Sequence, residues 1–447
     1  MSSDFELPPG WSWETIDTLK AEGRSVVSGP FGSNIGKRFF VEHGVPVIRG
    51  NNLTLDMERF LDVGFVFLTD EKAAEFTNCE AHPGDLIFTA AGTIGQVGII
   101  PRTPRYSKYI ISNKQLRARL DSAKILPLYA YYWLASPPMV AMIQSRNTGS
   151  TIPLINLSVL KSLPVPVPPL AVQNEIVGVL SSLDDRITLL HEINATLEAI
   201  AEALFKSWFV DFDPIRMKAE GREPDGLDAD TAALFPDGFE ESALGPVPTG
   251  WSVGKLGDLA ETVRSQRQPS ELNDDTYYIG LEHIPRKSLS LENWGTAGGL
   301  ESAKFSFTRG NILFGKLRPY FHKVVIAPFD GVCSTDILVC KPKAQSYYGM
   351  VTMHLFSEAL IDYADRLSNG AKMPRVNWKD LAAYPIVVPP IAIAEQYWIT
   401  IRPLLDGIVD NVHKATTLAA LRDALLPRLI SGQLDIVEAE AMLEGVA

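Results

Sequence analysis

Cysteine is scarce. The chain has three in 447 residues, Cys79, Cys333 and Cys340, with no C-x-x-C spacing. That argues against a disulfide framework and against a zinc site, and it leaves the three as buried apolar residues. Histidine is equally thin: seven are scattered along the chain with no H-x-x-x-H pair, so neither a zinc hydrolase nor a histidine-based triad has support. No apolar run approaches the roughly 20 residues that span a bilayer. The opening Met1-Ser-Ser-Asp-Phe-Glu lacks the basic and apolar regions of a signal peptide. A cytoplasmic protein without a membrane partner is the expectation.

Catalytic motifs are missing as well. Gly310-Asn-Ile-Leu-Phe-Gly315-Lys316 has the spacing of a phosphate loop, but Leu317 stands where Ser or Thr would hold magnesium. Its apolar interior reads as a strand. Ser136-Pro-Pro-Met139, Val167-Pro-Pro-Leu170 and Val388-Pro-Pro-Ile391 lack the amide or acid and the ring with which an adenine methyltransferase holds a flipped base. For a metal-dependent nuclease there is one acid-x-Lys, at Asp70-Glu71-Lys72, and both Pro-Asp pairs lie far downstream of it.

What the chain does have is a copy of part of itself. Gly149-Ser-Thr-Ile-Pro153-Leu-Ile-Asn156 returns as Gly370-Ala-Lys-Met-Pro374-Arg-Val-Asn377, and the offset of 221 then holds without a gap for about sixty positions. Upstream the offset drifts, to 226 for Gly84-Asp-Leu-Ile-Phe88 against Gly310-Asn-Ile-Leu-Phe314 and to 240 for Gly10-Trp11 against Gly250-Trp251. Each half therefore joins a variable globular segment to a constant helical one. At 46% hydrophobic the chain can bury more than one core.

In the constant segment the apolar positions step by three and four, as in a coiled-coil seam. The first copy presents Ile176, Leu180, Leu183, Ile187, Leu190, Asn194, Leu197, Leu204 and Trp208, the second Tyr397, Ile401, Leu404, Ile408, Asn411, Leu418, Arg422 and Leu425. A helix over residues 172–209 extends roughly 57 Å at 1.5 Å per residue. Asn194 and Asn411 interrupt the seams and either fix register or face water. Prolines precede each helix, Pro164, Pro166, Pro168 and Pro169 before the first and Pro385, Pro389 and Pro390 before the second. They predict stiff arms that aim the helices away from the preceding domains. Upstream, short apolar runs at residues 45–48, 85–88, 97–100 and 336–339 read as strands, and 126–142 and 347–360 as helices. The fold class is α+β: two globular α/β domains and two long antiparallel helices in a pseudo-two-fold repeat.

The net charge of −12 is unevenly placed. Residues 211–241 carry −7 and the tail from Asp435 another −4, so the remainder is close to neutral. Residues 101–120 hold Arg102, Arg105, Lys108, Lys114, Arg117 and Arg119 with no acid, and 302–329 hold Lys304, Arg309, Lys316, Arg318 and Lys323 with none. These are candidate phosphate-contacting surfaces, or else solvated faces without a ligand. Residues 210–247, rich in acid, Gly and Pro, read as a linker wrapped around or between bodies. Two unlike heads of similar build would suit an asymmetric DNA target in two parts.

From end to end the chain resembles the DNA-specificity subunits of type I restriction–modification systems. The likeness is carried by Leu7-Pro-Pro-Gly-Trp11 with its echo Val247-Pro-Thr-Gly-Trp251, by Ser28-Gly-Pro-Phe-Gly-Ser33, and by Pro83-Gly-Asp-Leu-Ile-Phe88 with Gly92-Thr-Ile-Gly95. Further on it is carried by Leu204-Phe-Lys-Ser-Trp-Phe-Val-Asp-Phe-Asp213, Leu234-Phe-Pro-Asp-Gly-Phe-Glu-Glu-Ser242 and Gly315-Lys-Leu-Arg-Pro-Tyr320. The resemblance implies a non-catalytic subunit with no cofactor of its own. Each variable region would read one half of a bipartite site in double-stranded DNA, and the helices would set the gap. Two methylation subunits carrying S-adenosylmethionine would dock on the repeats, and two restriction motor-nuclease subunits using ATP and Mg would join them. A stand-alone DNA-binding regulator is the alternative. One departure is local: copy one reads Val172-Gln173-Asn174-Glu175 where copy two keeps the usual pair Glu395-Gln396.

The expected domains are 1–165 (first recognition domain), 166–210 (proline arm and helix), 211–247 (acidic linker), 248–385 (second recognition domain), 386–431 (second arm and helix) and 432–447 (acidic tail). Residue chemistry nominates Ser33, Asn34, Lys37, Arg49, Thr93 and Lys114 as DNA contacts in the first head, and Arg264, Lys316, Arg318, Tyr320 and Lys323 in the second. If residues 315–323 are extended, Lys316, Arg318 and Tyr320 share one face; otherwise Arg318 and Tyr320 brace the turn at Pro319.

Overall fold

The computed structural model describes residues 7–368, 370 and 373–444. The opening Met1-Ser-Ser-Asp-Phe-Glu and Ala371-Lys372 of the repeated motif lie outside the described residues. Contacts divide the chain into two compact units, one of Met1–Asp185 with Leu418–Ala447, the other of Arg186–Thr417.

In the first unit four antiparallel strands run in the order Val26–Ser28, Gln115–Ala118, Leu86–Thr89, Val97–Ile99. A second sheet orders Val66–Leu68, Val45–Ile48, Tyr109–Ile111 and Glu80–Ala81, with the middle two parallel. The central strands are buried on both faces, so they read as short continuous apolar runs without alternation.

The second unit repeats this plan. Ala260–Val263, Ile337–Pro342, Ile312–Gly315 and Val324–Ile326 follow the first order strand for strand. Its other sheet, Gln266–Arg267, Lys304–Phe307, Gly331–Cys333, Tyr277–Ile279, Gly295–Thr296, again has a parallel middle pair and adds Gln266–Arg267 at one edge. The turns at Gly10 and Gly250 also match: both glycines sit at positive φ, and the Trp11 and Trp251 amides donate to the Pro8 and Pro248 carbonyls.

The prolines do not form arms that lead away. Pro164–Val167 is a strand paired antiparallel with Ser12–Thr15, and Pro385–Val388 is one paired with Ser252–Lys255. A two-stranded ladder leaves one side of each strand unpaired, which tolerates a residue that has no N–H. The expected helices 126–142 and 347–360 are each broken, into Pro127–Leu134 and Pro137–Ser145, and into Tyr348–Phe356 and Glu358–Leu367. The breaks fall at Ser136 and Ser357, 221 residues apart and both extended. Pro137 forces the first, since the residue before proline avoids the helical region. In the second, the Ser357 hydroxyl accepts from the Leu360 amide and caps the new helix.

The long helices are Leu170–Phe209 and Ile391–Ile430, 40 residues each and displaced by 221 at both ends. Gln173, the departure in copy one, is fully buried at the first helix start. Its amide donates to the Pro168 and Lys124 carbonyls and accepts from the Leu126 N–H, so it fastens that start to the first head.

Residues 210–247 are not a structureless linker. They form helices Asp213–Ala219 and Ala229–Leu234 and the hairpin Phe239–Ser242 with Gly245–Pro248. Phe212, Ile215 and Phe235 lie in the second unit's core beside Trp208, Phe209, Trp251 and Tyr397, with Trp208 and Phe235 edge to face at 5.0 Å and Phe209 and Tyr397 at 4.9 Å. Aromatic burial overrides the acidic composition.

Candidate nucleic-acid interface

Strand direction gathers the nominated residues. In the first unit Val26–Ser28 and Leu86–Thr89 are both antiparallel to Gln115–Ala118, so both leave the sheet where Gln115 enters it. Residues 29–34, 90–96 and 112–114 therefore converge at one end, bringing Ser33, Asn34, Thr93 and Lys114 together. Hydrogen bonds join the three segments: Gly29 N–H to the Gln115 carbonyl at 3.0 Å and Ala90 N–H to the Lys114 carbonyl at 2.7 Å. Arg49 follows Val45–Ile48, whose last carbonyl accepts from Ser112 N–H at 2.9 Å, which brings it to the same end. Ser33, Asn34, Thr93 and Lys114 are exposed, and Lys37 is exposed on the turn Lys37–Phe39.

The floor beneath is rigid and polar. The Gln96 amide donates to the Gly50 and Leu53 carbonyls at 3.2 and 2.7 Å, and its oxygen accepts from the Thr89 hydroxyl at 2.8 Å. Gln115, 1% exposed, takes the Ser112 hydroxyl on its oxygen and has no partner for its Nε2.

The second unit builds the equivalent end. Ala260–Val263 and Ile312–Gly315 run parallel to each other across Ile337–Pro342, so residues 264–268, 316–323 and 334–336 converge. Lys316 N–H donates to the Asp336 carbonyl at 3.0 Å, and the Asp336 carboxylate takes the Arg375 guanidinium at 3.0 and 3.2 Å. The segments before the short helices Leu157–Lys161 and Trp378–Ala382 clasp the loops after Leu86–Thr89 and Ile312–Gly315 in the same way. Gly92 N–H donates to the Pro153 carbonyl at 3.0 Å in one unit, and Arg318 N–H to the Pro374 carbonyl at 2.7 Å in the other.

Residues 315–323 are not extended. Arg318 and His322 are left-handed, at φ 52° and 51°, around the turn Pro319–Phe321, so alternation does not align Lys316, Arg318 and Tyr320. Proline's fixed φ imposes that turn. Tyr320 is 49% exposed, Lys316 and Arg318 are half-buried and Arg264 is exposed. Lys323 is turned inward: its ammonium donates to the Leu281 carbonyl. Burial and then Arg286 lower its pKa, with Glu282 opposing, so it braces the turn.

The basic stretches shrink in the same way. Arg117 is 3% exposed and donates to the Glu80 and Arg24 carbonyls, and Arg119 grips Asp85 through two bonds of 2.7 Å. Lys304 is buried on Ser302. Folding, which a single charge run does not reveal, turns Arg117 and Lys304 inward and ties Arg119 to a buried carboxylate. Topology also adds Asn113, Gln266 and Arg267, all exposed at the converging ends. No local signal in the sequence marks them.

Behind these ends the helices pair within each unit. In the first, Ile176, Leu180, Leu183, Leu418 and Leu425 are buried; Ile187, which belongs to the second, is half-buried. Arg422 donates to Asp184 at 2.9 Å, Asp184 accepts from the Tyr132 hydroxyl at 2.7 Å, and Arg59 reaches Tyr132 and Asp185, both at 2.8 Å. In the second, Ile401 and Ile408 are buried, and Leu190, Leu197, Leu204 and Leu404 are half-buried. Asn411 donates to the Asn194 side-chain oxygen at 2.9 Å, and Asn194 donates to the Ser290 hydroxyl at 3.1 Å. The Tyr397 hydroxyl donates to the Ala201 carbonyl at 3.1 Å. Partner numbers fall as helix numbers rise, so the pairing is antiparallel. Glu198 accepts from the Ser288 hydroxyl and from the Leu289 and Ser290 amides at 2.9 to 3.1 Å.

Among the described residues no three His, Cys, Asp or Glu side chains gather as metal ligands would, and no helix is long and apolar enough to cross a membrane. The family model for the type I restriction modification DNA specificity domain matches residues 38–199 and 248–416. The chain is 26% identical to the type I restriction enzyme MjaIX specificity subunit of Methanocaldococcus jannaschii, covering 82% of each chain. It is 24% identical to the type I restriction enzyme HindI specificity subunit of Haemophilus influenzae, over 87% of this chain and 98% of that one. Its fold is similar to the crystal structure of the type I restriction-modification system S subunit from M. genitalium, with TM-score 0.50, 15% identity, and 96% and 98% of the two chains covered.

Proposed function

The chain belongs to the type I restriction-modification DNA-specificity family, and from that premise we propose that each head reads one half of an asymmetric, bipartite site in double-stranded DNA while the paired helices set the unread gap. The observation that carries this reading is the pair of equivalent sheet ends fitted with unlike loops, 90–96 in one head and 316–323 in the other. Equivalent scaffolds give both heads the same approach to a duplex, and unlike side chains give them different bases to prefer. Amide, hydroxyl and cationic groups at the ends suit base edges and phosphates: Ser33, Asn34, Lys37, Thr93 and Lys114, exposed, and Arg49, half-buried, in the first head; Arg264 and Tyr320, exposed, and Lys316 and Arg318, half-buried, in the second.

Chemistry then resides in partners. Two methylation subunits with S-adenosylmethionine dock on the repeated helical segments, and two restriction subunits with ATP and Mg complete the assembly. This chain contributes recognition and spacing. The test is to co-express it with the methylation subunit and map methylated adenines on a random-sequence plasmid library. Exchanging residues 1–165 for those of another family member should change one half of the methylated motif and leave the other half and the gap unchanged. A change in both halves overturns the modular reading.

A further inference from the structure

Phe31 is the most exposed large apolar side chain among the described residues, with 86% of its surface open to solvent. It stands in the turn that leaves Val26–Ser28, between Gly29-Pro30 and Gly32, where the Asn34 amide donates to its carbonyl at 2.8 Å. Glycine lets that turn lie flat on the sheet end. A Cβ on Gly29 would meet the Ser112 carbonyl oxygen at 1.9 Å, and one on Gly32 would meet Asn113 Nδ2 at 2.9 Å. The backbone is thus pinned while the ring is left out in water.

Its surroundings indicate what covers it. Ser33, Asn34, Lys37, Arg38, Asn113 and Lys114 are all exposed along or across the turn. A protein partner is met by a contiguous apolar patch with charge depleted at its centre; this ring has cations and amides for neighbours. A single apolar side chain amid groups that hold phosphates is the arrangement by which proteins push a wedge between base steps. At its equivalent end the second head presents an exposed ring too, Tyr320, but from the loop after Ile312–Gly315, while its turn after Ala260–Val263 carries Arg264-Ser-Gln-Arg267. Ring and polar loop have exchanged strands between two equivalent sheet ends.

We propose that Phe31 enters the DNA duplex as an apolar wedge within the half-site of the first head, partly unstacking one base step; this rests on the specificity-subunit reading above. The wedge reads deformability in addition to base edges, and it tethers the duplex to the one head that carries it.

The experiment uses the assembled methylation complex and a duplex carrying its mapped site, with 2-aminopurine placed in turn at each position of that half-site. With the wild-type chain, emission should rise at one step. Phe31→Ala should abolish the rise and weaken binding by about tenfold to a hundredfold, the range that loss of one base–aromatic stack produces, with thermal stability unchanged. Phe31→Tyr should keep both signals, and Phe31→Lys should lose the emission change while keeping salt-sensitive attraction. Unchanged affinity and emission in Phe31→Ala overturn the wedge. So does loss of methylation subunits from that variant by native mass measurement, which would assign the ring to a protein contact. A wild-type complex with no site-specific binding would instead sink the specificity reading itself.

Discussion

His354 lies on Tyr348–Phe356 with its ring 4.8 Å from that of Phe205 and no partner for Nε2. Burial pushes the imidazole down to about 4, so the folded chain keeps it neutral where an unfolded chain protonates near 6.5. A depressed pKa contributes stability that is present above 6.5 and lost as pH falls toward 4. The difference is worth about 3 kcal/mol. Urea midpoints measured from pH 7 to 4 should fall along that range, and His354→Leu should flatten the decline. Arg422 is buried as well. Burial works against its charge, and the carboxylates of Asp184 and Asp423 more than offset this. Arg422→Met should cost about 3 kcal/mol, the low end for breaking a buried pair, because Arg59 Nε stays 3.3 Å from Asp184. Adding Asp184→Leu should recover much of the loss in the same unfolding measurement.

At the scale of elements the helices were the legible part. Their three-and-four spacing is local, and both copies give helices with ends displaced by the same 221 residues. The polar interruptions Asn194 and Asn411 were visible too, though not their bond to each other, since register is decided by the partner strand of the seam. The sheets were legible only as isolated runs. Val26–Ser28 pairs with a strand about ninety residues away, and Val47 lies parallel to Ile110, relations that no local period encodes. Charge misled where pairing turned side chains inward, at Arg117 and Lys304, and where a turn did so, at Lys323. The converging loops, and Phe31 among them, follow from strand direction alone. Matched four-residue insertions in both helices, between Asp184 and Asn194 and between Asn411 and Arg422, preserve each polar contact and add about 6 Å of helix. Mapped methylation should show the same bases with the gap longer by about one to two base pairs; altered bases would contradict the division of labour between heads and helices.

For the molecule as a whole, duplication has retained a scaffold and released the loops. Two sheets of matching order, two Gly-Trp turns and two helices of equal length are held in common, while the strand exits differ in length and chemistry. The clusters around Tyr397 and Ile279 lie in the second unit and those around Ile110 and Ile111 in the first, so one set of loops can vary with little effect on the other, because stability effects of distant sites add independently.

Each head is closed by its own first and last strands. Thr15 waits for Pro164, and Lys255 for Pro385. A ribosome adding about 5 to 20 residues per second needs on the order of 8 to 30 s to deliver the missing edge of the first head. During that interval Ser12–Thr15 lacks its partner strand, so a chaperone that shields it should raise the yield of folded chain in a translation reaction.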